Sequence, residues 1–289
     1  MKVAYLGPDG TFSAEALRHT IDAAAHELVP VPGIFEAVMA VAHGEVDRAL
    51  VPIENSLEGA VNATLDALAV ETQDVAIVGE VVHPIRVCLL VAAARAGGAT
   101  PSLDEITEVV SHPQPAAQCA GFLRTRLPGT PVVAAASTAE AVRSVGGDGS
   151  DPPTRAALGT RLAAQLYGCT VLLTGVEDVP DNETRFVWLA PRGTPPEGSG
   201  PWKTSLVFWG VGAEAPGWLV RCLSEFAFRG VNLVRIESRP RRQGLGRYMF
   251  FVDCEGRADD GEGGAVSEAI AALQGQAEHV RTLGSYPVA

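Results

Sequence analysis

The sequence predicts an α/β fold in two parts. A mostly parallel, helix-flanked sheet spans about 190 residues, and a small βαββαβ unit of about 85 follows. Three observations lead there. Short apolar strands alternate with helix-period stretches through the first part. The segment PRGTPPEGSGP (191–201) then interrupts the pattern, because its Pro, Gly and Ser content holds neither a helix nor a sheet ladder. Charge divides at the same point: residues 204–289 carry 9 basic and 10 acidic side chains, and residues 1–203 carry 13 and 24. The predicted domains are therefore 1–190 and 203–289, joined by a linker over 191–202. With 289 residues, each part is long enough to bury a core.

Taken in order, VAYLG (3–7) is a strand, and Ala14, Leu17, Ile21 and Ala24 mark one face of the helix after it. RALVPIEN (48–55) is the next strand, followed by a helix with Val61, Leu65 and Leu68 inward. VVHPIRVCLLVAA (81–93) is a long strand-rich run. EVVSHP (108–113) leads into a helix bearing Ala116, Ala120, Leu123 and Leu127, and PVVAAAS (131–137) leads into another. GGDGSDPPT (146–154) reads as an exposed loop, and TVLLTG (170–175) starts the return. In the second part TSLVFWGV (204–211) is a strand, and Leu219, Cys222, Leu223 and Phe226 form a helical stripe stopped at Arg229-Gly230. VNLVRIESRP (231–240) and GRYMFFVDCEG (246–256) form a hairpin. A helix near 265–275 and the strand HVRTLGSYPV (279–288) close the unit.

Composition excludes several functions. The net charge of −12 argues against nucleic acid and anionic membrane as partners, and no apolar run reaches the ~18 residues of a membrane span. MKVAYLGPDG enters a strand at once, without an apolar leader, so a cytoplasmic location is expected. Cys88, Cys119, Cys169, Cys222 and Cys254 are odd in number and unpaired in spacing, which speaks against disulfides and a zinc cage. The six histidines form no metal-ligand pattern. Lys2 and Lys203 are the only lysines, one at a strand start and one beside the Pro/Gly segment, so Schiff-base chemistry is not expected. No cofactor is expected.

Four strands end in polar turns that open helices: GPDGTFS (7–13), PIENSLEG (52–59), SHPQPAAQ (111–118) and STAEA (137–141). Free N–H groups at such helix starts, with the helix dipole behind them, hold anions without many cationic side chains. Ser137 and Glu140 have capping-box spacing. In an acidic chain these turns point to a small anionic ligand. The same words, with NETRF (182–186) following, stand in the order seen in prephenate dehydratases. PGWL (216–219), FAFRGVNLVRIESRP (226–240) and YMFFVDCEG (248–256) resemble the ACT regulatory module of that family.

The resemblance implies a catalytic region folded like a type II periplasmic-binding protein. Lobe one would take residues 1–80 and 175–190, and lobe two 81–174, with a ferredoxin-like ACT domain after them. It implies conversion of prephenate to phenylpyruvate with loss of water and CO2, in phenylalanine biosynthesis, without metal or redox cofactor. Thr184 is the implied catalytic residue: a hydroxyl donates a hydrogen bond to the departing ring hydroxyl, although its high pKa makes it a poor free acid. Substrate binding falls to Thr11, Ser13, Asn55, Ser56, Gln114, Ser137 and Thr138, to Arg185 as a guanidinium fork for a carboxylate, and to Phe186 at the cleft wall. Arg185 has a structural salt bridge between the lobes as its alternative. His112 reads as a turn residue, and Glu54 and Glu58 are left out because they repel a dianion.

For the second unit the resemblance implies phenylalanine bound near Gly217, Leu219, Asn232, Glu237 and Ser238, between modules paired into a homodimer or homotetramer. Trp218 stands where a small residue is usual, so an indole is expected at the mouth of that pocket. Arg239, Arg241, Arg242 and Arg247 read as solvated arginines on a hairpin loop. Three other functions stay open: an arogenate dehydratase, a prephenate decarboxylase (for which the TRF threonine would be expected to be missing) and a non-catalytic sensor of small acids.

Overall fold

The computed structural model describes residues 1–93, 100–146, 154–210, 212, 215–259 and 263–289. Most of the expected 146–154 loop, and Val211 at the end of an expected strand, lie outside them. The chain begins β1 (Lys2–Leu6), α1 (Phe12–Thr20), β2 (Glu27–Val31), α2 (Ile34–Ala42), β3 (Arg48–Asn55), β4 (Gly59–Ala60), α3 (Asn62–Asp66), β5 (Val75–Pro84) and β6 (Cys88–Ala92). It continues β7 (Glu108–Ser111), α4 (Pro113–Gln118), α5 (Ala120–Arg126), β8 (Val132–Ala134), α6 (Thr138–Gly146), β9 (Arg155–Gly159), α7 (Arg161–Leu166), β10 (Cys169–Thr174) and β11 (Glu183–Pro191). After the Pro/Gly segment come β12 (Trp202–Trp209), α8 (Trp218–Ala227), β13 (Leu233–Pro240), β14 (Tyr248–Glu255), α9 (Ala265–Gln274) and β15 (His279–Pro287). Among the described residues no helix is long and apolar enough to cross a membrane.

Two compact units emerge. The first comprises residues 1–37, 55–58 and 83–184; the second comprises 38–54, 59–82 and 185–289. In the first, β1 pairs in parallel with β2, and a five-stranded sheet runs β10-β6-β9-β7-β8. That sheet is mixed. β7 is parallel to β8 and β9, whereas β6 is antiparallel to β9 and β10. Every residue of β6 is buried, because Leu89 and Val91 enter one apolar cluster and Cys88 and Leu90 the opposite one. Its unbroken CLLVA run is the mark of a strand covered on both faces.

In the second unit β3, β11 and β5 lie side by side in that order, and β4 pairs with β3. A four-stranded antiparallel sheet, β13-β14-β12-β15, carries α8 and α9 on one face and realises the βαββαβ order. Leu206, Phe208, Cys222, Phe226, Val252 and Leu273 fill the core of this module. Gly284 on β15 is required by a close approach, since a Cβ there would sit 2.1 Å from the Ile77 carbonyl oxygen of β5.

The α/β expectation stands, with local differences. The first helix stops at Thr20, because Ile21 is already extended. The run 81–93 divides into β5 and β6. The helix after SHPQ breaks at Cys119, which joins α4 to α5. β2, α2, β9 and α7 were not anticipated.

Candidate functional site

The site is built where β3 ends and β11 begins. Asn55, last residue of β3 and buried, directs its amide at the start of β11. Its Oδ1 accepts from the backbone N–H groups of Leu57 (3.0 Å) and Glu58 (3.1 Å), which fixes the orientation of the amide. Its Nδ2 then donates to Asn182 Oδ1 (2.8 Å), the Glu183 carbonyl (3.1 Å) and Thr184 Oγ1 (3.0 Å). Thr184, 8 % exposed, thus receives a hydrogen bond at its oxygen and keeps its own proton available to donate. Ser56 strengthens the same junction: its N–H donates to the Glu183 carbonyl (2.9 Å) and its Oγ accepts from the Glu183 N–H (3.0 Å).

A closed ring of polar groups supports Asn55. The wholly buried Asn182 donates from Nδ2 to Gln118 Oε1 (3.2 Å). Gln118 Nε2 and Gln114 Nε2 each donate to Glu58 Oε1 at 2.8 Å, and the Glu58 N–H returns to Asn55. The carboxylate that repulsion argued against is thereby a fixed acceptor for two amides. The ring is buried at Asn55, Asn182 and Thr184 and opens to solvent at Glu58 and Gln114, so its enclosed half holds the donors most firmly.

The helix starts are capped as their sequences require. Thr11 Oγ1 accepts from the Ala14 N–H (3.3 Å) and donates to the Leu6 carbonyl (3.1 Å), and Ser13 is buried in the first turn of α1. Ser137 Oγ accepts from the Glu140 N–H (3.0 Å), and Thr138 is buried beside it at the start of α6. His112 Nδ1 accepts from the Gln114 N–H (3.3 Å), the turn role expected of it. Gly10, at φ +90°, lets the GPDG turn pass against Ala163, where a Cβ would lie 3.1 Å away. Thr160 Oγ1 donates to the Gly10 carbonyl (2.8 Å) and Tyr167 Oη to the Asp9 carbonyl (2.8 Å).

The structure therefore joins Asn55, Ser56, Gln114 and Thr184 in one hydrogen-bonded system. Thr11, Ser13, Ser137 and Thr138 lie at two helix N-termini of the same unit, without a direct bond to it. Arg185 and Phe186 are corrected. Each nitrogen of the Arg185 guanidinium already has a carboxylate partner: Nε meets Glu54 Oε2 at 3.0 Å, Nη1 meets Glu80 Oε2 at 3.2 Å and Nη2 meets Asp253 Oδ2 at 2.6 Å. Burial alone would lower its pKa, yet the charges of Asp253 and Glu54 outweigh burial and raise it. The side chain forms ion pairs, but with Glu54 and Glu80 of the expected first lobe and with Asp253, not the bridge between lobes that was its alternative. Phe186 is 2 % exposed and packs in the interior.

Gly217 takes the N-cap position of α8 with φ +77°, Leu219 packs on the module core, and Asn232, Glu237 and Ser238 lie on or beside β13. Trp218 departs from expectation. It is buried between Phe208 and Phe250, with ring centroids 5.9 and 6.0 Å away, and its indole N–H donates to the Gln276 carbonyl (2.9 Å). The indole is a core group, because the first turn of α8 faces inward there. The arginine cluster also differs: Arg239 and Arg242 both hold Asp66, and Arg241 covers Trp209.

Sequence reasoning missed Asn182, Gln118 and Thr160. The first two stand inside the quoted words NETRF and SHPQPAAQ, and their amide side chains were the available signal. Thr160 precedes RLAAQL as a helix cap would.

A family described as prephenate dehydratase matches residues 3–194. A prephenate dehydratase of Amycolatopsis methanolica is 41% identical over 286 residues, covering 99% of this chain and 88% of that protein. The crystal structure of a prephenate dehydratase from Arthrobacter aurescens in complex with L-Phe is 38% identical, with a TM-score of 0.85 over 99% of this chain and 90% of that one. A protein described as a novel type of quorum quenching acylase is 28% identical, with a TM-score of 0.83 over 100% of this chain and 98% of that one.

Proposed function

Since the chain belongs to the prephenate dehydratase family, we propose that it converts prephenate to phenylpyruvate, with the Thr184 hydroxyl as donor to the leaving group. In prephenate the bond from the ring to its carboxylate breaks as CO2 departs, and the electron pair enters the ring. The C4–O bond breaks on the opposite carbon, and the hydroxyl takes one proton and leaves as water. Aromatisation drives both cleavages. What the protein must supply is a hold on two carboxylates and a hydrogen bond that strengthens as charge develops on the leaving oxygen.

The observation that carries the reading is the Asn55–Thr184 hydrogen bond. Accepting from Asn55 leaves the Thr184 proton free for another acceptor, and a buried donor of this kind needs no ionisation to act. The proton that the leaving water removes returns to Thr184 from solvent. Thr11 and Ser13 at α1, Ser137 and Thr138 at α6, and Ser56 and Gln114 beside the network are the groups assigned to the substrate carboxylates and keto acid.

We read 1–190 as the catalytic region, in the lobes given above, 191–202 as linker and 203–289 as an ACT module acting in the cytoplasm. The module is assigned phenylalanine as effector, near Gly217, Leu219, Asn232, Glu237 and Ser238, and pairing with a second copy into a dimer or tetramer. Supporting the pairing, Val234 and Ile236 on the edge strand β13, with Val220 on α8 and Phe228 at its C-cap, are exposed apolar side chains.

The test is to add prephenate at neutral pH and follow phenylpyruvate absorbance in alkali against a no-enzyme control, because acid alone drives this conversion. A rate above the control is expected. A rate equal to the control would sink the assignment, and a parallel assay with arogenate sets the preference between the two acids.

A further inference from the structure

We infer that Arg185 is a positioning residue for Thr184, held by Asp253 of the module so that β11 presents the catalytic hydroxyl at one fixed angle. The inference rests on the reading of Thr184 given above. Consecutive strand residues point to opposite faces, so Thr184 and Arg185 extend to either side of β11. Their partners are consecutive as well. Thr184 accepts from Asn55, and Arg185 pairs with Glu54 at 3.0 Å, one residue earlier on β3. The hydrogen bond and the ion pair are therefore adjacent rungs between the same two strands, and a shift of either residue along the strand moves the other.

The anchor reaches further than the two strands. Asp253 Oδ2 takes Arg185 Nη2 at 2.6 Å, while its Oδ1 accepts from Ser205 Oγ (2.6 Å), which shares a hydrogen bond with Tyr286 Oη (2.7 Å). Lys203 Nζ meets both oxygens of Glu80 at 2.8 Å, and Arg235 approaches Glu54 and Asp253 at 3.6 and 3.8 Å. Three cations thus face three carboxylates, and the Glu80 and Asp253 side chains are almost wholly enclosed. Apolar residues would fill this space at less desolvation cost, so the charges are kept for what apolar packing lacks, namely direction. Removing one partner strands a buried charge and lets the strand relax.

The experiment measures kcat and KM for prephenate on the full chain, well below its melting temperature, for Asp253→Asn, Arg185→Lys, Thr184→Ala and the double variant Asp253→Asn with Thr184→Ala. The expected result is a kcat at least ~10-fold lower for Asp253→Asn and for Arg185→Lys, with KM changed less than ~2-fold. In the Thr184→Ala background Asp253→Asn costs nothing more, since no hydroxyl is left to aim. Equal losses in both backgrounds would make the ion pair merely structural and overturn the inference, as would a wild-type kcat in Asp253→Asn. A raised KM at constant kcat would overturn it in favour of direct substrate binding by Arg185. Should Asp253→Asn fail to fold, Ser205→Ala, which loosens Asp253 by one bond, is expected to lower kcat in the same direction and must be silent in the Thr184→Ala background. Absence of turnover by the unaltered chain is a separate outcome: it would refute the functional reading itself, and this inference with it.

Discussion

At residue scale the proposed chemistry rests on one hydroxyl, Thr184, and one amide, Asn55. Thr184→Ala is expected to lower kcat by at least ~10²-fold in a folded protein, the loss typical of a donor at a developing charge. Thr184→Ser keeps the hydroxyl but loses the methyl that restricts χ1, so it should fall between the two in steady-state kinetics. Folding is checked by circular dichroism, and near-normal kcat in Thr184→Ala contradicts the role. The cysteines allow a prediction of another kind. Burial pushes the Cys119 and Cys254 thiols up to about 12, and the Cys169 and Cys222 thiols up to about 11. Native protein should react slowly with a thiol-specific disulfide reagent, and Cys169, the one thiol that is not buried, should react first by mass spectrometry. Fast labelling of Cys119 before unfolding would contradict that order.

Elements show where the sequence was legible and where it was not. β3 spans 48–55 as its pattern of apolar residues ending in a polar turn demanded, and the module follows its βαββαβ pattern strand by strand. RAALG and RLAAQL were opaque, because short alanine-rich stretches carry neither a strong period nor β-branched residues. The partners of Arg185 were opaque for another reason: Glu54, Glu80 and Asp253 come from three distant segments, and only the folded chain juxtaposes them. Trp218 is the most instructive case, since its neighbours in sequence suggested a pocket mouth and its neighbours in space are Phe208 and Phe250. Trp218→Ala should cost the module about 3–5 kcal/mol by cavity formation, read as a lower urea midpoint, and should not open a ligand site. Binding of phenylalanine that appears only in the alanine variant would contradict this.

The β13–α3 pairing adds a pH dependence. Burial alone would raise the Asp66 carboxyl, but Arg239 and Arg242 hold it below its ordinary value of 3.8. A carboxyl depressed in the folded state stabilises above its unfolded pKa, and that contribution is lost as pH falls through the folded one. The urea midpoint should therefore drop between about pH 5 and pH 3, and more steeply in the wild type than in Asp66→Asn. Equal slopes for the two proteins would remove Asp66 from the account.

At the scale of the whole molecule, the proposed pairing of modules is tested at the exposed edge of β13. Ile236→Lys sets a charge on that edge and should shift the chain toward monomer in light scattering, leaving the prephenate kcat of the monomer within ~3-fold of the parent. An unchanged mass would place the contact elsewhere. The network around Arg185 has a further consequence, for how the chain can be divided. The segment from Arg192 to Pro201 is largely exposed and looks like a natural place to cut. Yet Glu80 and Arg185 on one side of it are neutralised by Lys203 and Asp253 on the other. A fragment ending at Arg192 would keep Arg185 paired with Glu54 and Glu80 but lose Lys203 and Asp253, leaving one carboxylate of the cluster in excess, and should be less stable when made alone. A full-length chain nicked by a protease engineered to cut between Pro195 and Gly200 should instead stay together through gel filtration, because the packing of β15 on β5 and the ion pairs that include Arg239 with Asp66 hold its two pieces without the peptide.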